Sequence, residues 1–380
     1  MKLRITNSPR AMILAILALV VVMNAPAFAA SGTWSAAPSV HTPRDGHTAT
    51  LLPNGNVVIA GGEDNNLALD ASEVYSPTMG SWTVSGNLNV ARSNASAVLL
   101  PNGSILIAGG CVSNCLGATT ASAELYSSMN AKWSSTGAMS KARTYFSMVL
   151  LANGEVLVAG GCTGLNANGC SGVTNKAEIY NPSTDKWTAT GSMIAARGNL
   201  SATLLPNGKV LVAGGINGIG NPIGTAELYN PATGKWTATG NMITARDEHT
   251  AILLSTGNVL VAGGEDSNSV TTSKTELYNP STGKWTATGN LNTSRLEHTM
   301  TMLMNGNVMI TGGNNVTANT TTVLSSCELY SSTTGKWTST GSMSTPRVGH
   351  TTTLLTSGRV LAASGSDANN DLTSAELYAQ

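Results

Sequence analysis

One stretch constrains this chain more than any other. Residues 197–240, RGNLSATLLPNGKVLVAGGINGIGNPIGTAELYNPATGKWTATG, are repeated imperfectly along the rest of the sequence past residue 32. The landmarks recur in the order Arg, Gly-Gly, Glu-x-Tyr, Trp. The arginines are Arg44, Arg92, Arg143, Arg197, Arg246, Arg295 and Arg347. The glycine pairs begin at Gly61, Gly109, Gly160, Gly214, Gly263 and Gly312, and in the last copy Ser364 stands before Gly365. All seven tryptophans belong to the series, from Trp34 to Trp337. Trp to Arg is always 10 residues, Arg to the Gly-pair position 17, and Tyr to Trp 7, whereas the second Gly to Glu varies from 11 to 17. Constant spacing implies a constant local fold, and one variable gap per copy implies one tolerant loop. A period of about 50 residues marks a propeller or solenoid array.

Each copy reads as four short strands. Residues 201–205 are apolar-rich and lead into Pro206-Asn207-Gly208, a hairpin-turn signal. Residues 209–213 form an apolar run ending in Gly214-Gly215, as expected of a strand covered on both faces. Residues 225–229 and 235–239 supply the third and fourth strands, separated by the turn Asn230-Pro231-Ala232-Thr233-Gly234. Helical periodicity is absent. Seven such sheets bury themselves only against one another, around an axis. The mature chain opens with a Trp34 strand lacking earlier partners and closes at Tyr378 with no Trp strand after it. The Trp34 segment is therefore expected to supply the last sheet's outer strand and close the ring.

Residues 1–30 read as a cleaved export signal. Lys2, Arg4 and Arg10 precede an apolar run over residues 11–23, and Ala27-Phe28-Ala29 supplies a small-x-small cleavage pattern. The run is too short to span a bilayer. Residues 31–380 are then one domain, expected as a monomer that is secreted, periplasmic or at the cell surface. Removing the leader's three basic residues leaves 17 basic against 20 acidic, a net charge of −3 without any basic run, which excludes nucleic acid as an expected partner.

An apolar strand ending in Gly-Gly, then a spaced Tyr and a spaced Trp, resembles the kelch repeat, and the resemblance covers residues 33–380. It implies an all-β, seven-bladed kelch-type propeller with four antiparallel strands per blade and a central channel, similar in scaffold to the central domain of galactose oxidase. Within each blade, the first-to-second and third-to-fourth connections fall on one face and are tight turns. The second-to-third loops and the links between blades fall on the other face, with the arginines. That second face is the expected binding face.

The arginine ring has two readings. One is a positive rim that grips an acidic ligand, which the resemblance supports because kelch propellers often hold ligand on this face. The other is structural: each copy also has one Glu (Glu73, Glu124, Glu178, Glu227, Glu276, Glu328 and Glu376), so each Arg has a candidate ion-pair partner. Function is expected where the repeats differ. His47, His249, His298 and His350 lie three residues after their Arg, where the other copies have Ala95, Phe146 and Leu200. Asp45, Asp247, Glu248 and Glu297 accompany the histidines, and Tyr145 is the one Tyr outside the repeat series. Four histidines near an axis suit a metal or acid–base chemistry. The resemblance implies a plainer reading too, since Arg-x-x-His recurs in kelch repeats as a packing feature and histidines spread over blades need not converge. The candidate ligand-binding set is accordingly the seven arginines with His47, Tyr145, Glu248, His249, Glu297, His298 and His350.

Cys111 and Cys162 each follow a Gly pair, with Cys115 and Cys170 further along the same loops. An oxidising destination makes Cys111–Cys115 and Cys162–Cys170 expected disulfides, the alternative being a shared zinc site. Cys327 replaces a small residue before Glu and reads as core. Glu63-Asp64 and Glu265-Asp266 lack a Ca²⁺-loop pattern.

A copper radical oxidase needs two Tyr and two His on the metal, and the sequence has no Tyr-His dipeptide. A glycan hydrolase would use carboxylates such as Asp45, Asp247, Glu248 or Glu297. No nucleophile elbow or phosphate loop occurs. A rigid disc with variable loops asks less of the sequence. The expectation is a non-catalytic, cofactor-free module that binds protein or carbohydrate, with a carbohydrate-active enzyme as the alternative.

Overall fold

In this computed structural model the described residues are 32–113, 118–166 and 169–380. They fold into seven four-stranded antiparallel sheets, and among them there is no helix. Blade 4 shows the plan. Ser201–Leu204 (strand a) leads to Val210–Ala213 (b), then Ala226–Asn230 (c), then Lys235–Ala238 (d), paired in that order from the axis outward. Blades 1, 2, 3, 5 and 6 repeat it. Blade 7 takes strands a to c from Thr351–Leu354, Val360–Ala363 and Ala375–Ala379, and its outer strand is Thr33–Ala37. Trp34 lies opposite Tyr378 in that pairing, so the ring closes as the Trp34 segment suggested and neither end leaves an unpaired edge. The leader assigned to residues 1–30 lies outside the described residues.

Packing between blades follows from the composition of strand b. All four residues of every b strand are buried, since both faces meet neighbouring blades. Tyr of strand c and Trp of strand d stack within each sheet at 5.0–5.3 Å between ring centroids. Their polar tips then reach the preceding blade. Tyr229 Oη pairs with Thr190 at 2.8 Å, and Trp236 Nε1 donates to the Gly191 carbonyl at 2.7 Å.

The Gly-Gly pair stitches blades at the inner end of strand b. The second glycine donates its N–H to the carbonyl of the next blade's Arg at 2.8–2.9 Å, all round the ring from Gly62–Arg92 to Gly365–Arg44. Both residues have positive φ, for example 64° at Gly214 and 90° at Gly215, and a Cβ on Gly214 would collide with the Arg246 carbonyl. Ser364 takes the first position in blade 7 at φ 55°, with a fully buried hydroxyl lacking a partner among the described residues.

The b–c loops of blades 1, 3 and 6 fold into small hairpins on the loop face, such as Cys162–Asn166 with Gly169–Val173. The opposite face carries the tight turns but is not featureless. Clefts of about 380, 400 and 330 Å³ open between neighbouring blades there, lined by turn residues such as Asn153, Asn207 and Pro280.

Candidate functional site

The arginine ring is buried. All seven side chains are 0 % exposed, and each guanidinium meets the Glu of its own blade at 2.7–3.1 Å. In blade 5, Arg246 donates to the carbonyls of Gly263 (2.8 Å) and Lys274 (2.6 Å) and to Glu276 Oε1 (2.7 Å). Glu276 in turn accepts the backbone N–H groups of Ile243 and Thr244, which lead in from the previous blade. Burial lowers the guanidinium pKa, and the carboxylate beside it opposes that shift. Of the two readings of Arg44, Arg92, Arg143, Arg197, Arg246, Arg295 and Arg347, this geometry accords with the ion pair within each blade, and it leaves no guanidinium exposed as a rim. These side chains fasten each interblade link from within.

The histidines also face inward, between blades. His47, His249, His298 and His350 are 4–7 % exposed. Each Nε2 bonds a hydroxyl on the preceding blade: His47 to Thr351 (2.9 Å), His249 to Ser201 (2.8 Å), His298 to Thr250 (2.7 Å) and His350 to Thr299 (3.3 Å). Burial is the main cause that pushes His249 and His350 down to about 3, and His47 and His298 well below the usual range, with the buried arginines adding to it. Neutral imidazoles clamped this way are poor acid–base catalysts near neutrality.

A ring of residues two positions after each Arg surrounds the axis. Two positions after each Arg the backbone is left-handed, at Gly46, Asn94, Tyr145, Asn199, Glu248, Glu297 and Gly349, with φ between 49° and 62°. Gly and Asn enter this region readily, whereas Tyr and Glu do so at a steric cost. Backbone hydrogen bonds link neighbours in this collar, among them Asn94 N–H to the Gly46 carbonyl (2.8 Å), Asn199 to Tyr145 (3.0 Å) and Gly46 to Gly349 (3.0 Å). The collar holds Tyr145, Glu248 and Glu297 at the mouth of the channel. A cavity of about 330 Å³ there is lined by Tyr145, Phe146, Glu297, His47, His298 and His350, among others. The alternation of Gly, Asn, Tyr and Glu at this position was the available sequence signal, since Gly and Asn in four of seven copies mark a left-handed site.

The mouth is acidic. Burial raises Glu248 well above the usual carboxylate range, with Glu297, Asp247 and Glu265 adding repulsion. Glu297 is exposed at the mouth, where crowding by neighbouring protein raises its carboxyl, opposed by a hydrogen bond from Asn314 at 3.2 Å. Tyr145 is held un-ionised by burial and by the same two glutamates.

Asp45 and Asp247 sit one residue before the collar, bridged to Glu63 and Glu265. Burial first, then Glu63 and Glu265 respectively, push both aspartates up to about 7. Oδ1 of each is buried with no hydrogen-bond partner among the described residues. A second, strongly polar cavity of about 300 Å³ lies between blades 7 and 1, lined in part by Asp45, Glu63, Asp367 and Asp371.

Cys162 and Cys170 form a disulfide with a Cα–Cα distance of 5.4 Å, which takes both out of any shared zinc site. Cys111 packs against Cys162 and Leu165, and Tyr145 rests on the same cluster, so the blade 3 loop supports the mouth. Cys115, the expected partner of Cys111, lies outside the described residues. Cys327 is free and buried.

Among the described residues no three His, Cys, Asp or Glu side chains converge as a metal site. Each of His47, His249, His298 and His350 spends Nε2 on a hydroxyl of the preceding blade, while its Nδ1 is buried with no hydrogen-bond partner among the described residues.

A family model described as the KLHDC2/KLHL20/DRC7 Kelch-repeats domain matches residues 46–264. No curated protein sequence matches the chain. Among solved structures, a copper-bound fungal alcohol oxidase described as showing catalytic diversity among the AA5 family is similar with a TM-score of 0.72 and 17% identity. The match covers 92% of this chain and 76% of that one. At that identity the likeness concerns the fold alone.

Proposed function

This chain belongs to the kelch-repeat family, and from that premise we propose that it is an exported binding module whose channel mouth receives a cationic segment of a partner protein. Kelch propellers generally act as interaction modules, which supports a protein partner. One observation carries the choice of charge. With every repeat arginine buried against its glutamate and the bordering histidines neutral, the charges left to act at the mouth are carboxylates, Glu248, Glu297 and Asp247 with Asp45, Glu63 and Glu265 behind them. A Lys or Arg side chain placed among crowded, partly desolvated carboxylates relieves their mutual repulsion. Export is supported by the basic, apolar and small-x-small pattern of residues 1–30.

Titration calorimetry with matched basic and acidic peptides tests this reading. Basic peptides are expected to bind and to lose most of their affinity in the Glu248→Gln/Glu297→Gln double variant. Equal binding of acidic peptides, or affinity untouched by the double variant, would refute it.

A second reading keeps the same two residues. Two carboxyl groups held above the usual carboxylate range at one mouth suit the acid and base of a glycan hydrolase. In that case oligosaccharides would be cleaved, and Glu297→Gln alone would abolish turnover.

A further inference from the structure

Strand direction sorts every charge in the propeller to one of its two faces. Outer strands begin at the turn face, and five of them begin with lysine: Lys132, Lys186, Lys235, Lys284 and Lys336. All five are exposed. Lys209 and Arg359, at the a–b turns of blades 4 and 7, face the same way. None of the seven has an ion-pair partner among the described residues. Only Glu155 and Asp185 oppose them on that face, and both are engaged within blade 3. Glu155 accepts from Asn153 and Asn181, and Asp185 accepts from Tyr180. Apart from these two and the glutamates buried against arginine, every carboxylate of the described residues lies on the loop face, where the only unburied basic residues are Lys141, Lys176 and Lys274.

Large apolar side chains are exposed on both faces, with Leu67, Ile194, Ile219 and Ile243 on the loop face, and those on the basic face stand at turn tips among the lysines. Met79 and Met129 stand at c–d turns and are 78 % and 96 % exposed, and Met304 at an a–b turn is 66 % exposed. Long unbranched side chains at turn tips, flanked by lysines on flexible stems, match a bilayer surface: the ammonium groups meet anionic headgroups and the thioethers enter the boundary with the acyl chains. A soluble polyanion would have no use for exposed methionine. A second copy of this chain would offer its acidic loop face, but that face is uneven with hairpins.

We propose that the turn face docks onto an anionic lipid surface, with the channel mouth directed away from the membrane. Nothing in this assignment depends on what the mouth binds.

The test is co-sedimentation of the full chain with vesicles of phosphatidylglycerol and phosphatidylcholine, against vesicles of phosphatidylcholine alone. Binding is expected only to the anionic vesicles and is expected to weaken as salt rises. Changing Lys132, Lys186, Lys235, Lys284 and Lys336 together to Glu is expected to lower partitioning at least about tenfold. Met79→Ser/Met129→Ser/Met304→Ser is expected to lower it while keeping the salt dependence. Because the apolar run of residues 11–23 can enter lipid by itself, binding that ignores the lysine reversals, or that is equal on neutral vesicles, would overturn the assignment. So would sedimentation without vesicles, which marks stacking of copies, and so would retention on a sulfated polysaccharide with no vesicle binding. Lys141→Glu/Lys176→Glu/Lys274→Glu, the same charge reversal on the loop face, is the control and is expected to leave partitioning within about twofold, and thermal unfolding of every variant checks its fold.

Discussion

Replacing Arg246 by alanine separates a structural arginine from a ligand-gripping one. The change deletes the donors to Gly263, Lys274 and Glu276 and leaves the Glu276 carboxylate 1 % exposed without its countercharge. Breaking one partner out of a buried pair costs about 3–5 kcal/mol, because the other charge remains desolvated. Glu276 keeps the N–H groups of Ile243 and Thr244, which places the cost near the middle of that range, at roughly 4 kcal/mol. A domain of this size has an unfolding entropy of about 0.7 kcal/mol/K at its midpoint, so Tm is expected to fall by about 5–6 °C. Scanning calorimetry of Arg246→Ala beside Glu276→Gln, and beside both together, supplies the assay. The double variant should be less destabilised than the sum of the two singles, since each single strands the other group. An unchanged Tm with lost ligand binding would refute the account and return the arginine to the binding face.

Other perturbations follow from the same geometry. Ser364→Gly removes a side chain from a left-handed, fully buried position and deletes an unpartnered hydroxyl, so it should stabilise the fold by roughly 1 kcal/mol in urea denaturation. Reduction of Cys162–Cys170, or Cys162→Ala/Cys170→Ala, should cost about 2 kcal/mol and raise hydrogen exchange in the blade 3 hairpin and around Tyr145 more than in distant blades. Proton linkage runs in two directions. Asp45 and Asp247 have native pKa values near 7 against an ordinary 3.8, so their contribution to stability is complete below about pH 4 and is lost as pH rises through about 7. The depressed histidines, His249 and His350 at about 3, contribute stability above about pH 6.5 that is lost on acidification toward 3. A cation bound beside Asp247 favours its ionised form, so affinity should climb by up to about tenfold per pH unit below 7 for each proton released, and calorimetry in buffers of different ionisation heat would show that release.

Much of the scaffold was legible because repetition converts weak local signals into a strong one. One Gly-Gly after an apolar run says little, whereas the same run at constant spacing from Arg and Trp specifies strand order, turn positions and the closing role of Trp34. The candidate site was legible in part. Tyr145, Glu248 and Glu297 stand out in the sequence because they break the repeat, and Tyr145 and Glu297 line the cavity at the mouth. The four histidines break it as well; His47, His298 and His350 border the same cavity, while Nε2 of each is turned to a hydroxyl of the preceding blade, a direction the sequence does not show. Asn94, Asn199, Gly46 and Gly349 escaped notice because their relation to Tyr145 is one of backbone conformation.

The chain itself determined an all-β ring of seven units, where one loop per unit varies, and which residues depart from the pattern, because these follow from spacing and from the period of apolar residues along a single strand. Only the tertiary structure decided which of the charges are available. An Arg and a Glu some thirty residues apart neutralise each other once strands a and c of one blade enclose them, as Arg246 and Glu276 do. Lysines spread evenly through the sequence become one basic face once every outer strand starts from the same side. Charge along a chain is a list, and its field depends on direction and burial, which only the closed ring supplies.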